Sequence, residues 1–132
     1  MSNPVANPTF YSETEVINLL LNNIRESYVF LDPDLKVVYF NKKAQEQATT
    51  YYGRELYPGL PIISIIRETR KQILTELYQD ALKGKHFSTE TEHTDTDGTK
   101  LYFENSFQPA YNEKNEIIGA ILTSRNVTDK KD

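Results

Sequence analysis

The fourteen residues Tyr28-Val29-Phe30-Leu31-Asp32-Pro33-Asp34-Leu35-Lys36-Val37-Val38-Tyr39-Phe40-Asn41 decide the fold. Two short runs, 28–31 and 36–40, are rich in β-branched and aromatic side chains, which pack well on a pleated surface. Between them Asp32-Pro33-Asp34-Leu35 carries turn chemistry: proline presets φ and aspartate bonds its own backbone. The reading is a β-hairpin. Both runs are apolar at consecutive positions, so each strand is expected to be covered on both faces. One face meets the helices of a core. The other needs a cover, which an upstream helix or a partner chain can supply. Asn41 ends the hairpin and is placed to cap a helix starting at Lys42.

Upstream, Ser12 stands three residues before Glu15, a capping-box spacing. Val16, Ile17, Leu20, Leu21 and Ile24 follow at helical intervals, which predicts an amphipathic helix over 12–24. It is either an ordinary docking helix or a dimer-forming one, with Val16, Leu20 and Ile24 as the dimerisation candidates. Residues 1–11 hold two Asn-Pro pairs and read as a flexible tail. Downstream, a mostly polar helix runs from Lys42 to about Thr50, and Tyr52-Gly53, Gly59 and Pro61 mark irregular chain. Ile66, Ile73, Leu74, Leu77, Tyr78 and Ala81 then recur three and four apart, giving a long helix over 66–83 with Gly84 at its C-terminal cap. The last third reads as three strands, 86–94, 100–110 and 117–127, joined at Asp97-Gly98 and at Asn112–Asn115. An isolated hairpin is marginal, so the two strand groups must join. The simplest closed solution is an α/β (α+β) domain: one five-stranded antiparallel sheet with helices on one face, plus the N-terminal amphipathic helix.

At 132 residues the chain suits one domain, and a chain of this size buries roughly 70% of its unfolded surface without a staple. It has no cysteine. That excludes a disulfide framework, a thiolate zinc site and a cysteine nucleophile. It also fits a reducing, cytoplasmic location. A net charge of −4 argues against nucleic-acid binding, which needs clustered Lys and Arg. No apolar run approaches the roughly 20 residues of a membrane-spanning helix.

The order and spacing of four pieces resemble a PAS domain over residues 25–129. These are the opening hairpin ending in Asn41, the long helix ending Leu82-Lys83-Gly84-Lys85, the turn Asp97-Gly98-Thr99-Lys100, and Gly119-Ala120-Ile121 running to Asn126-Val127-Thr128. The last piece departs from the family's terminal Asp-Ile-Thr signature, because Asn126 stands where the aspartate is usual. Asn keeps the hydrogen bonds and loses the charge, and Arg125 lies beside it. The resemblance implies a sensory or interaction module rather than an enzyme. It implies signal transduction, with an output such as the histidine kinase of a two-component system. Residues 130–132 then read as the start of a linker toward an output domain in the parent chain. Arg125, Asn126 and Thr128 are the signal-transmission candidates.

Haem-binding members use a histidine on the long helix, and 66–83 has none. His86 and His93 are seven apart on a strand, so they point to opposite faces, cannot readily share a metal, and read as two partly exposed strand histidines. Covalent flavin chemistry needs a cysteine, so haem and covalent flavin are both disfavoured and no cofactor is expected. No nucleophile–base–orienter set is visible. Glu90, Glu92 and His86 share one strand parity and read as a solvated face. A small unidentified ligand between sheet and long helix remains. The candidate pocket residues are Phe30, Phe40, Ile66, Leu74, Tyr78, Phe103 and Asn105. Asn105 shares parity with Leu101, Phe103 and Phe107, so an amide sits on an apolar face and must find partners. A ligand, the backbone, a tyrosine hydroxyl or water can serve. The alternative for the apolar members is plain core packing. Two functions follow: a ligand-sensing input module in a homodimer, or a ligand-free interaction module.

Overall fold

A computed structural model describes residues 11–130. The tail expected at 1–11 and the linker start at 130–132 therefore lie, Tyr11 and Lys130 apart, outside the described residues. The elements are α1 (Glu13–Asn22), β1 (Ser27–Leu31), β2 (Val37–Phe40), α2 (Lys42–Gln47), α3 (Glu68–Leu82), β3 (Phe87–Thr94), β4 (Lys100–Tyr111) and β5 (Ile117–Asn126). The strands form one antiparallel sheet in the order β2-β1-β5-β4-β3. The hairpin and the meander thus join through β1 and β5, which puts the last strand at the centre of the sheet.

The local chemistry accounts for the ends of the elements. Ser12 Oγ accepts from Glu15 N at 3.1 Å, and Glu15 Oε1 accepts from Ser12 N at 3.4 Å, so the capping box of α1 is complete. In the β1–β2 turn Asp32 Oδ1 accepts from the amides of Asp34 and Lys36. The free edge of β2 is covered by the segment 59–62: Val37 N donates to Leu60 O, Gly59 N to Val37 O and Ile62 N to Leu35 O. Covering an edge this way removes a template for unwanted pairing. Gly119 lies hard against β1, where a β-carbon would overlap the Leu31 carbonyl oxygen and come within 2.8 Å of the Phe30 ring.

The inner face of the sheet, carrying Val29, Leu31, Phe107 and Ala120, packs on α2, α3 and the chain between them. Leu31, Val37, Leu60, Ala81 and Ala120 are almost wholly shut off from solvent. The opposite face carries Tyr28, Phe30, Tyr39 and Ile121. Together with Leu21 of α1 they line a shallow apolar depression. Tyr39 Oη also donates to Asn18 Oδ1 at 3.3 Å. The cover expected for the second face is thus α1, and it is partial: no α1 residue is buried, and Leu20 is 63% exposed.

Two helices differ from their expected spans. The polar helix expected over 42–50 is α2 followed by a π-helical turn, Ala48–Tyr52, which Gly53 ends at φ 64°. The long helix begins at Glu68 rather than at 66, because Ile62–Ile65 form a separate 3₁₀ turn and Ile66 is extended. π and 3₁₀ turns have periods close enough to α that apolar spacing alone does not separate them.

Candidate functional site

The inner face is not filled solid. A cavity of about 140 Å³ opens between the β1/β5/β4/β3 face and the helical layer. Its floor is Phe103, Asn105 and Phe107 of β4 with Thr89, Thr91 and His93 of β3. The register explains the set. Thr89 faces Asn105 and Thr91 faces Phe103, and directly paired residues share a face. Ile66, Leu74 and Tyr78 close the α3 side, and Ala44, Gln47 and Ala48 the α2 side.

The π turn places its aromatic rings on β3. The Tyr51 ring lies 4.7 Å from His93 and 5.4 Å from Phe103, while His93 meets Phe103 edge-on at 5.4 Å. Tyr52 meets the same imidazole at 6.5 Å. Tyr78 packs on Phe107 at 5.3 Å, and burial pushes its phenol above the usual tyrosine range, with Tyr52 adding and Arg70 opposing. Burial lowers the His93 pKa first, and the Arg67 and Arg70 charges lower it further. The imidazole is therefore held neutral at a pH where an ordinary histidine begins to charge.

Two amides carry the polar chemistry. Asn105 Nδ2 donates to Thr91 Oγ1 at 3.1 Å, so its partner is a threonine hydroxyl across the strand pair. Gln47 Nε2 is the one buried side-chain polar atom without a hydrogen-bond partner among the described residues, and Gln47 lines the cavity. Leaving such a donor unpaired costs about 1–3 kcal/mol.

Of the seven residues singled out from sequence as pocket candidates, the structure brings Ile66, Leu74, Tyr78, Phe103 and Asn105 together around this cavity. It does not bring Phe30 or Phe40 there. Phe30 has the parity of Tyr28 and lies in the depression on the opposite face, over Gly119. Phe40 packs against the core cluster without lining the cavity. The histidines also need correction. His86 precedes β3 and is exposed, but His93 faces inward and is half-buried in an aromatic cluster. The signal was available in the alternation of β3, where Glu90 and Glu92 take the exposed parity and leave His93 with the other. Gln47, Tyr51 and Thr91 were missed.

The transmission candidates lie at the end of β5. Arg125 Nη2 donates to Glu104 Oε1 at 3.1 Å in an ion pair across the β4–β5 ladder. Asn126 Oδ1 accepts from Thr128 N at 2.9 Å and from its hydroxyl at 2.5 Å. Asparagine therefore makes the local bonds without a charge. Thr128 Oγ1 in turn accepts from Tyr102 N at 2.9 Å, and Val127 N donates to Tyr102 O at 2.8 Å. The chain leaving the sheet is thus tied to the residue beside Phe103.

The PAS fold family matches residues 21–132. The chain belongs to this family. PAS domains are sensory and interaction modules, not catalysts, and this one is a PAS sensory domain. No curated protein matches it. Among solved structures it is similar to the PAS domain of a Colwellia psychrerythraea protein, with 18% identity, a TM-score of 0.64, and coverage of 89% of this chain and 99% of that one. It is also similar to the Vibrio cholerae VqmA dimer, a LuxR-type receptor, with 16% identity and a TM-score of 0.68 over 91% of this chain and 53% of that one. The third is the sensor region of a sensor histidine kinase, with 21% identity and a TM-score of 0.59 over 80% of this chain and 40% of that one. At these identities the likeness is one of fold. The PAS domain spans about half or less of the last two chains.

Among the described residues no group of three or more His, Cys, Asp and Glu is placed to hold a metal, and no helix is long and apolar enough to cross a membrane. The 140 Å³ space is that of a single ring.

Proposed function

We propose that this PAS domain is a cytoplasmic signal-input module that takes a small organic molecule in the β4–α3 cavity. In this reading occupancy reaches the chain after Thr128 through β4. The observation that carries the reading is Gln47, which lines a cavity that is otherwise largely apolar and whose buried Nε2 has no hydrogen-bond partner. A ligand acceptor would relieve the cost of that donor, and ligand pockets combine apolar walls with a few placed polar groups. Phe103 and Asn105 face the cavity, while the backbone of Tyr102, the residue before Phe103, is bonded to Thr128 and Val127. A shift of β4 on binding would be felt at the exit of the domain, and Arg125–Glu104 and Asn126 would move with it.

The output we propose is a sensor histidine kinase or a similar regulator. Its support is the fold likeness to a kinase sensor region, and the likeness to VqmA supports a DNA-binding receptor of the LuxR type instead. Native mass spectrometry of the protein as purified, and after incubation with a metabolite extract, tests ligand retention. A stoichiometric adduct lost in Ala48→Leu, which fills the cavity, is the expected result. Equal retention by both proteins would sink the reading.

A specific observation favours a second activity, homodimerisation through α1. Val16, Ile17, Leu20 and Ile24 are all exposed on or just beyond a ten-residue helix, beside the apolar depression of Leu21, Tyr28 and Phe30. A second copy of the same helix is the occupant we propose, covering both apolar surfaces by a two-fold contact. Sedimentation of the parent protein and of Leu20→Asp tests it. The parent should run as a dimer and the variant as a monomer, and a monomeric parent at micromolar concentration would remove the proposal.

A further inference from the structure

Resting on the ligand reading above, the size, walls and charge of the cavity narrow the class of molecule. The volume, about 140 Å³, is close to the roughly 150 Å³ at which an apolar cavity accepts benzene. That matches one ring with a small substituent more closely than a fused polycyclic cofactor or a long acyl chain. The walls present aromatic faces and edges from Tyr51, Tyr78, Phe103 and Phe107, which favour a flat ring in offset or edge contact.

The charge pattern is one-sided. Among the described residues Arg70 is the only Lys, Arg, Asp or Glu lining the cavity. The fields of Arg67 and Arg70 both reach the wall, since both act on His93. Asp95 acts on the Tyr51 hydroxyl but does not line the space. The buried group left unpaired, Gln47 Nε2, is a donor. The lining charge and the unpaired buried donor therefore both ask for an electron-rich acceptor, and among the described residues no carboxylate lines the cavity to meet an ammonium group.

We propose that the ligand is a single planar ring bearing an anionic acceptor group, an aromatic carboxylate being the simplest case. The ring would sit among Leu74, Phe103 and Phe107, with its acid group toward Arg70 and Gln47.

The test is a titration of the isotopically labelled domain by heteronuclear NMR with benzoate, benzyl alcohol, benzylamine and decanoate at neutral pH. The side-chain amides of Gln47 and Asn105 and the backbone amides of Thr91 and Phe103 serve as reporters. Benzoate should move all four and bind about tenfold more tightly than benzylamine, the ratio that one charge-assisted hydrogen bond supplies. Arg70→Gln should weaken benzoate about fivefold and leave benzyl alcohol unchanged, as removal of an exposed charge partner predicts. Arg70 is exposed, so that variant folds like the parent. Benzylamine binding as well as benzoate, or benzoate indifferent to Arg70→Gln, would overturn the anionic assignment while leaving the cavity as a ligand site. Decanoate moving the reporters when no ring does would overturn the single-ring assignment on the same terms. No probe moving any reporter would overturn the class outright, while the ligand reading would still be judged by adduct retention against Ala48→Leu.

Discussion

Replacing Asn41 with alanine should be among the most damaging single changes in the domain. The side chain is 1% exposed and makes four hydrogen bonds. Its Oδ1 accepts from Ala44 N at 3.0 Å, capping α2, and from Tyr28 N at 3.0 Å, holding β1. Its Nδ2 donates to Leu21 O at 2.7 Å and Glu26 O at 2.9 Å, tying down the chain that leads from α1 into the sheet. Loss of an N-cap costs about 1 kcal/mol, and each buried backbone group left unpaired costs at least about as much again. Asn41→Ala should therefore lose about 4 kcal/mol, a fall in Tm of about 15 °C for a domain of this size. Urea unfolding followed by circular dichroism measures it, with an unchanged slope on denaturant required for a two-state comparison. Asn41→Asp sharpens the test. Its second oxygen would face two carbonyl oxygens, so the folded state would raise the carboxyl pKa above the unfolded value of about 4. A raised pKa means the stability is present below the unfolded value and is lost as pH rises through the folded one. The gap between Asn41→Asp and the parent should thus be small near pH 3 and widen above about pH 4. A loss below about 1 kcal/mol for Asn41→Ala would refute the reasoning, because water would then be replacing all four bonds. A gap for Asn41→Asp that does not change with pH would refute the assignment of the amide's two ends.

Gly119→Ala should destabilise by about 1–3 kcal/mol, read from the same unfolding curves, because its β-carbon would meet the Leu31 carbonyl rather than a movable side chain. Thr128→Val removes the acceptor of Tyr102 N, so that amide should exchange with solvent about five- to tenfold faster by hydrogen-exchange NMR while the centre of β5 keeps its protection. His93 has a folded pKa below its unfolded value, so it contributes stability that is present above about pH 6.5 and lost as pH falls through the folded value. His93→Gln should flatten the stability profile as pH falls below about 6.5, and an unchanged profile in differential scanning calorimetry would contradict the inward placement of the ring.

The fold was legible because the deciding segments carry local chemistry that has few other uses. Asp32-Pro33-Asp34 makes the turn it advertises, with Asp32 Oδ1 accepting from two amides, and Ser12 and Glu15 form the capping box their spacing implies. Joining of the two strand groups followed from the marginal stability of a lone hairpin, and the β1–β5 pairing is that joint. What the sequence could not supply was the face of β1. Tyr28 and Phe30 on one side and Val29 and Leu31 on the other are all apolar, because the second side is partly covered by α1. Phe30 accordingly reads as a pocket wall as well as Val29 does, and only the pairing with β5 separates them. Phe40 fails for a related reason, since an apolar residue at a strand end can pack on the core without reaching a cavity.

The missed residues of the cavity share a different cause. Tyr51 and Tyr52 reach His93 because α2 opens into a π turn, and that extra residue per turn carries rings which an α-helical continuation would place elsewhere. Such a turn leaves no periodic mark over five residues. The same opening lies immediately beyond Gln47, the last residue of α2, whose Nε2 is buried without a partner. In a solid core both features would be costs without compensation: a widened helix turn gives up packing, and an orphaned donor gives up a hydrogen bond. They occur side by side in residues lining the cavity that Asn105, Thr91 and His93 also line. Asn105 was found from sequence because an amide interrupts an apolar strand face, whereas Gln47 sits in a polar helix where one more amide carries no signal. The ligand-free interaction reading leaves the cost at Gln47 unexplained, and the ligand reading turns it into the donor that an incoming acceptor would use.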